Sequence, residues 1–149
     1  MNISVAQKED LSVLCQYDKH IVKDELVYCI SRNRIYIAKE NGEFIGWLRY
    51  NLFWDNTPFM NMVYVMDDYR GKGFGEQLVD YWEKQMKLLD YECVMTSTAS
   101  DEYAQHFYHR LGYRTIGGFI YQSDPYEIIS SCAVWIMSPC FKSRGIIMS

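Results

Sequence analysis

Apolar residues recur along the chain at two spacings, and each spacing predicts a kind of element. "NISVAQ" alternates as a first strand. In "KEDLSVLCQYDKHIVKDELVYCISRN", Leu11, Leu14, Cys15, Ile21, Leu26 and Ile30 recur at helical intervals, which predicts two short helices. "RIYIAKENGEFIGWLRYNLFW" holds two β-rich runs joined by Glu40-Asn41-Gly42-Glu43, and Asn-Gly favours the turn whose twist matches a hairpin. "TPFMNMVYVM" is apolar on both faces, so this strand is expected to be covered on both. The spacing predicts a helix over 76–90, with Leu78, Val79, Trp82, Met86 and Leu89 on one stripe and the pairs Asp80–Lys84 and Glu83–Lys87 on the wet face. "CVMTST" reads as a strand. A helix from about Asp101 to Leu111 follows, with Ser100 or Thr98 as cap and Gly112 as its stop. "YRTIGGFIYQ" and "YEIISSCAVWIMS" close the chain as strands. The class is α/β, with helices packed on a mixed sheet.

Length and composition narrow this picture. At 149 residues, with 49% hydrophobic and 23% charged residues, the chain is expected to form a single domain over 1–149 with an ordinary globular core. No apolar run approaches the roughly 20 residues of a membrane helix, and "MNISVAQKED" lacks the layout of a signal peptide. No membrane partner is expected, and the location is expected to be cytoplasmic. Cys15, Cys29, Cys93, Cys132 and Cys140 are odd in number and scattered, without a C-x-x-C pair, which argues against a disulfide framework or a zinc site. A net charge of -4 and a pI near 5.3 disfavour nucleic acid but suit a cationic small molecule.

"DDYRGKGFGEQLVDYWEKQ" is the stretch richest in chemistry. Gly71, Gly73 and Gly75 lie between a strand and a strong helix, where backbone N–H groups and a partial positive charge can meet an anion, and Arg70 and Lys72 add charge. Neither the nucleotide P-loop pattern nor G-x-G-x-x-G is present. What remains is R-x-x-G-x-G from Arg70 to Gly75, either a surface turn or an anion loop.

"VMDDYRGKGFGEQLV" resembles the signature of the GNAT family of acyl-CoA N-acyltransferases, which joins the fourth strand to the next helix. "DEYAQHFYHRLGY" resembles that family's second block, N-x-x-A-x-x-F-Y-x-x-L-G-F, and the order of elements agrees over essentially the whole chain. The resemblance implies a central, twisted, mostly antiparallel sheet flanked by helices, with acetyl-CoA as cofactor and an amine as acceptor. It implies that backbone amides of Arg70, Gly71, Lys72, Gly73, Phe74 and Gly75 cradle the CoA diphosphate. The main chain of Val63, Tyr64 and Val65 would pair with the pantetheine arm and aim an N–H at the thioester carbonyl. Phe107 and Asp101 would also border the cofactor, Asp101 standing where the family has an asparagine; a carboxylate accepts but cannot donate. Tyr108 would be the proton donor to the departing thiolate.

Read without the resemblance, Tyr108 belongs to an apolar stripe with Tyr103, Ala104, Phe107 and Leu111, so core and catalytic roles both stand. The fourth strand carries no carboxylate base, which leaves Asp55, a water chain or a substrate that arrives neutral. "NLFWDNTPF" lies where the family binds its acceptor; Phe53, Trp54, Asp55 and Asn61 are the candidate contacts for a small cationic amine, or the aromatic residues simply pack there. Glu102, His106 and His109 share a helix face, which is read as solvated rather than as a metal site. The uncharged and then basic tail after "DPYEII" either extends the last strand or meets a second subunit in a homodimer. The leading expectation is an acetyl-CoA-dependent N-acetyltransferase acting in a ternary complex; the alternative is a non-catalytic acyl-CoA-sensing module.

Overall fold

The computed structural model describes residues 1–120 and 125–134. Seven strands and four α-helices appear in the order β1 (Asn2–Val5), α1 (Leu11–Tyr17), α2 (Lys23–Ser31), β2 (Ile35–Glu40), β3 (Glu43–Phe53), β4 (Thr57–Val65), α3 (Phe74–Leu88), β5 (Cys93–Ala99), α4 (Ala104–Arg110), β6 (Arg114–Ile120) and β7 (Tyr126–Ala133). They form one sheet in the order β1-β2-β3-β4-β5-β7-β6. Every neighbouring pair is antiparallel except β4 with β5. The expected mostly antiparallel sheet flanked by helices is therefore present. Asn41 and Gly42 both take positive φ, 51° and 80°, as the predicted primed turn between β2 and β3 requires.

Each face of the sheet has its own core. On one face α1 and α2 bring Leu14, Leu26, Cys29 and Ile30 against Ile35, Ile37 and Trp47. On the other, α3 seats Leu78, Val79, Trp82 and Met86 against Leu48, Met60 and Val94. Each of these α3 side chains is essentially fully buried, and such burial contributes about 1.5–3 kcal/mol apiece. Leu89, expected on the same stripe, is 59% exposed because α3 ends at Leu88 and Leu89 caps it. Asp80 and Lys84 form the predicted pair at 2.7 Å. Glu83 accepts a hydrogen bond from the buried Tyr113 hydroxyl at 2.9 Å. Burial there raises the Glu83 carboxyl above the usual range.

α4 is shorter than the sequence predicts. It begins at Ala104, with Tyr103 at the N-cap position and 75% exposed, so Asp101 lies in the turn before the helix and Tyr103 leaves the predicted stripe. Neither Ser100 nor Thr98 caps it by a side chain; the Ser100 carbonyl accepts from Gln105 Nε2 at 2.9 Å. Gly112, at φ 92°, ends the helix as predicted. Cys29 is buried and Cys15, Cys93 and Cys132 are half-buried, while Cys140 and the tail from 135 onward lie outside the described residues. Among the described residues no helix is long and apolar enough to cross a membrane.

The connection between α1 and α2 is held to the sheet by one buried ion pair. Asp18, 3% exposed, accepts from Arg49 Nε at 2.8 Å and from Trp47 Nε1 at 3.2 Å, and its second oxygen accepts the backbone N–H of His20 at 3.2 Å. Removing one partner of such a pair leaves the other charge buried. Asp18→Ala should therefore cost about 3–5 kcal/mol in urea unfolding, against under about 0.5 kcal/mol for Lys84→Ala at the exposed pair. Equal effects of the two variants would contradict this ranking.

Candidate active site

The site begins where β4 and β5 separate. Their parallel pairing consists of only Phe59 with Met95 and Met60 with Thr96. Against β3, the β4 register slips between Met60, opposite Tyr50, and Met62, opposite Arg49, so Asn61 is the extra residue of a bulge. Beyond it β4 runs on to Val65 paired on the β3 side alone. Met66 donates its N–H to Ile45 on β3 at 2.8 Å. Antiparallel alternation then turns the backbone of Tyr64 and Met62 toward β3 and that of Val63 and Val65 outward, into the wedge between β4 and β5. At the apex of the wedge Thr96 Oγ1 donates to the Met60 carbonyl at 3.1 Å.

At the wide end of the wedge is the glycine loop. Gly71 and Gly73 hold φ 73° and 81°, with open space where a side chain would begin. α3 starts at Phe74, two residues earlier than the periodicity suggests, so Gly75 belongs to its first turn. No side chain caps this helix, and the N–H groups from Gly71 to Glu76 find no backbone acceptor among the described residues. A row of free amides at the start of a 15-residue helix is the kind of main-chain arrangement that can meet an anion. The two nearby cations differ in role. Arg70, though exposed, folds back along β4: its Nε donates to the Val65 carbonyl at 2.9 Å, its guanidinium meets Asp67 at 3.1 Å, and it lies 4.8 Å from the Tyr64 ring centre. Lys72 lies out over Tyr69, at 5.5 Å. The sequence marks both as charges for an anion, whereas the structure makes Arg70 a brace between the loop and the end of β4.

α4 closes the wedge from the α3 side of the sheet. The Phe107 ring and the Val65 side chain both flank Gly75: a methyl group on Gly75 would lie 3.7 Å from Phe107 and 3.8 Å from Val65. Tyr108 is 7% exposed and packs edge-on to Phe107 and against Tyr113. Thr96, the residue at the apex, is near enough to act on its hydroxyl. Burial pushes the Tyr108 phenol up to about 12; Thr96 opposes this and Glu102 adds to it. Tyr108 is therefore a core residue that also lies beside Thr96, at the point where the strands part.

On the opposite face, a cavity of about 460 Å³ lies against β4. Trp47, Met62, Tyr64 and Tyr17 form its walls. The connection after α1 supplies Lys19 and His20, and the turn after β4 supplies Asp67 and Asp68. The expected acceptor residues lie elsewhere. Trp54 and Asp55 form the exposed tip of the β3–β4 hairpin, at φ 52° and 62°, with Trp54 against Phe53 and Phe53 against Phe59. Asn61 is exposed at the bulge. None of the four lines the cavity, and Asp101 is exposed in its turn. Among the described residues no three His, Cys, Asp or Glu side chains are placed to hold a metal. The cavity went unread in the sequence because its walls come from three separate segments; only the alternation of Met62 and Tyr64 on β4 points to it.

A parallel strand pair that opens like this beside an uncapped glycine turn is the frame of an acyl-CoA acetyltransferase. The model of the acetyltransferase (GNAT) family matches residues 6–113, and the chain belongs to that family. No curated protein matches it in sequence. Among solved structures it is similar to the ribosomal-protein-S18-alanine N-acetyltransferase from Escherichia coli, with 13% identity, a TM-score of 0.76 and coverage of 95% of this chain and 99% of that one. It is similar also to Ard1 from Thermoplasma volcanium, at 12% identity and TM-score 0.77, covering 90% of this chain and 97% of that one. A third is an aminoglycoside 6'-N-acetyltransferase complexed with coenzyme A, at 16% identity and TM-score 0.75, covering 91% and 98%. At these identities the likeness shows the fold.

The two kinds of glycine in the loop should separate by substitution. Gly73→Ala meets open space but forces an L-residue to φ 81°, so it should cost about 1–2 kcal/mol. Gly75→Ala sits in the helix at ordinary contact distances and should add up to about 1 kcal/mol. Urea unfolding measures both, and a destabilised Gly75→Ala would contradict the assigned start of α3.

Proposed function

We propose that this acetyltransferase moves the acetyl group of acetyl-CoA to the primary amine of a small-molecule acceptor, by direct attack while both are bound. The observation that carries the reading is the unbonded row of amides from Gly71 to Glu76, following directly on a strand whose outward edge beyond Met60 pairs with no other strand among the described residues. Free amides at a helix start suit the CoA diphosphate, with Lys72 as the added cation. The outward backbone of Val63 and Val65 suits the two amides of the pantetheine arm, as an added strand would. Phe107 gives that arm an apolar wall, and Asp101 offers it an acceptor.

In the chemical step the amine nitrogen bonds to the thioester carbonyl carbon. Negative charge collects on the carbonyl oxygen, where an N–H of β4 stabilises it. The C–S bond then breaks, and the proton lost by nitrogen ends on the CoA sulfur. A lysine-like amine must first give up its own proton, which costs roughly 4.6 kcal/mol at pH 7. Tyr108 supports the departing sulfur. With its phenol near 12, complete proton transfer to a thiolate whose thiol titrates near 8.5 is uphill by roughly 5 kcal/mol. Tyr108 therefore acts by donating a hydrogen bond to the thiolate, while the proton itself comes from nitrogen.

Acetyl-CoA should raise the melting temperature of the protein, and a panel of amines should then release free CoA thiol. Binding without thiol release from any amine would instead favour the acyl-CoA sensor. Gly73→Glu, which sets a carboxylate against the diphosphate, should abolish the thermal shift while the protein stays folded; an unchanged shift would remove the loop from the site. Tyr108→Phe should lower kcat by about 10²-fold and leave the affinity for acetyl-CoA unchanged. The pH profile carries a further test. Amine deprotonation should raise kcat/KM about tenfold per pH unit below the amine pKa. Because burial keeps Tyr108 protonated to about 12, no falling limb should appear up to pH 10. A descending limb near pH 8–9 that vanishes in Tyr108→Phe would contradict the hydrogen-bond role.

A further inference from the structure

The glycine loop is held at its entrance by a ring that the chemistry of the wedge does not use. Gly71 and Gly73 leave the loop few side chains to fix its path, and glycine gives up more conformational freedom on ordering than any other residue. Arg70 ties the loop to the end of β4. The residue before it supplies a second tie, to a different strand. Tyr69 ends the turn Asp67–Tyr69 and packs its half-buried ring against the core on the α3 side. Two residues that follow close on that ring: Lys72 Nζ lies 5.5 Å from its centre, and the centre of the Phe74 ring lies 6.3 Å away. The Tyr69 hydroxyl donates to Glu43 Oε2 at 2.7 Å, at the start of β3. That bond raises the Tyr69 phenol above its ordinary range, helped by desolvation and by the charges of Asp68 and Glu40, so the hydroxyl stays a donor at neutral pH.

Charge alone argues against a carboxylate in this place. Resting on the reading of the loop as the site of the CoA diphosphate, Glu43 adds like charge near the incoming anion. Among the described residues it has no ion-pair partner to neutralise it. Its contribution is then geometric. We infer that Glu43 and Tyr69 are positioning residues for the cofactor: the carboxylate anchors the phenol, and the anchored ring holds Lys72 and Phe74, and the loop between them, in place before the diphosphate arrives. Order already present in the free protein is not subtracted from the binding free energy. The tie also brings the start of β3, remote in sequence from the glycine motif, into the cofactor site.

Calorimetric titration with coenzyme A tests this, because an electrostatic role and a tethering role for Glu43 predict opposite signs. Glu43→Ala removes both the charge and the acceptor, and should raise Kd about threefold to tenfold, the scale of one intramolecular hydrogen bond. Tyr69→Phe keeps the ring and deletes the hydroxyl, and should weaken binding by the same factor. Glu43→Gln keeps an acceptor oxygen without the charge, and should bind at least as tightly as wild type. The double variant Glu43→Ala with Tyr69→Phe should be no weaker than either single one, since both remove the same bond. Tighter binding in Glu43→Ala, wild-type affinity in Tyr69→Phe, or losses that add in the double variant would each overturn the inference. Gly73→Glu, titrated alongside, separates this from the reading beneath it. If Gly73→Glu loses coenzyme A while Tyr69→Phe binds as wild type does, the loop reading stands and the positioning role alone falls. If Gly73→Glu binds normally, the loop reading falls and takes the positioning role with it.

Discussion

A strand edge that leaves its sheet exposes donors and acceptors that need partners, and the rest of the site depends on that constraint. β4 and β5 share two residue pairs and then part at the bulge of Asn61. From there Val63 and Val65 present main chain to an open wedge. Backbone groups at a buried edge are costly to leave unpaired, so the wedge favours a ligand with amides of its own. On the proposed reading the ligand's reactive end lies toward Met60 and Thr96 and its anionic end toward the loop, so that the sheet sets the direction of the cofactor before any side chain does.

The charged side chains around the wedge mostly hold the scaffold, leaving the main chain to face the ligand. Arg70 looks in sequence like the leading anion contact, yet its guanidinium bonds to Val65 and Asp67 and covers Tyr64. It fixes the angle between β4 and the loop. Asp18 and Arg49 do the same for the α1–α2 connection on the far face. The two faces of the sheet then divide the work: Phe107 and Tyr108 reach the wedge from the α3 and α4 side, and the aromatic cavity opens on the other.

Most of the fold was legible because its signals are local. Asn41-Gly42 specified a turn, the stripe from Leu78 to Met86 a helix, and three glycines a loop. What was missed depends on contacts between distant residues. The bulge at Asn61 has no local signature, since Met60, Asn61 and Met62 read equally well in an unbroken strand. Glu83 reads as a wet-face residue, and nothing local announces that Tyr113, on the far side of α4, offers it a hydroxyl. Tyr103 fits the helical stripe, but the helix starts after it. The cavity draws Tyr17, Trp47, Tyr64 and Asp68 from three segments that periodicity treats one at a time.

Amide hydrogen exchange, followed residue by residue with and without acetyl-CoA, tests the central claim most directly. If the parted edge and the uncapped turn together receive the cofactor, protection should rise at Val63 and Val65 and from Gly71 to Glu76. It should stay unchanged at Tyr64, whose N–H already faces β3. Protection confined to the hairpin tip around Trp54, or spread evenly over β4 without this alternation, would contradict it.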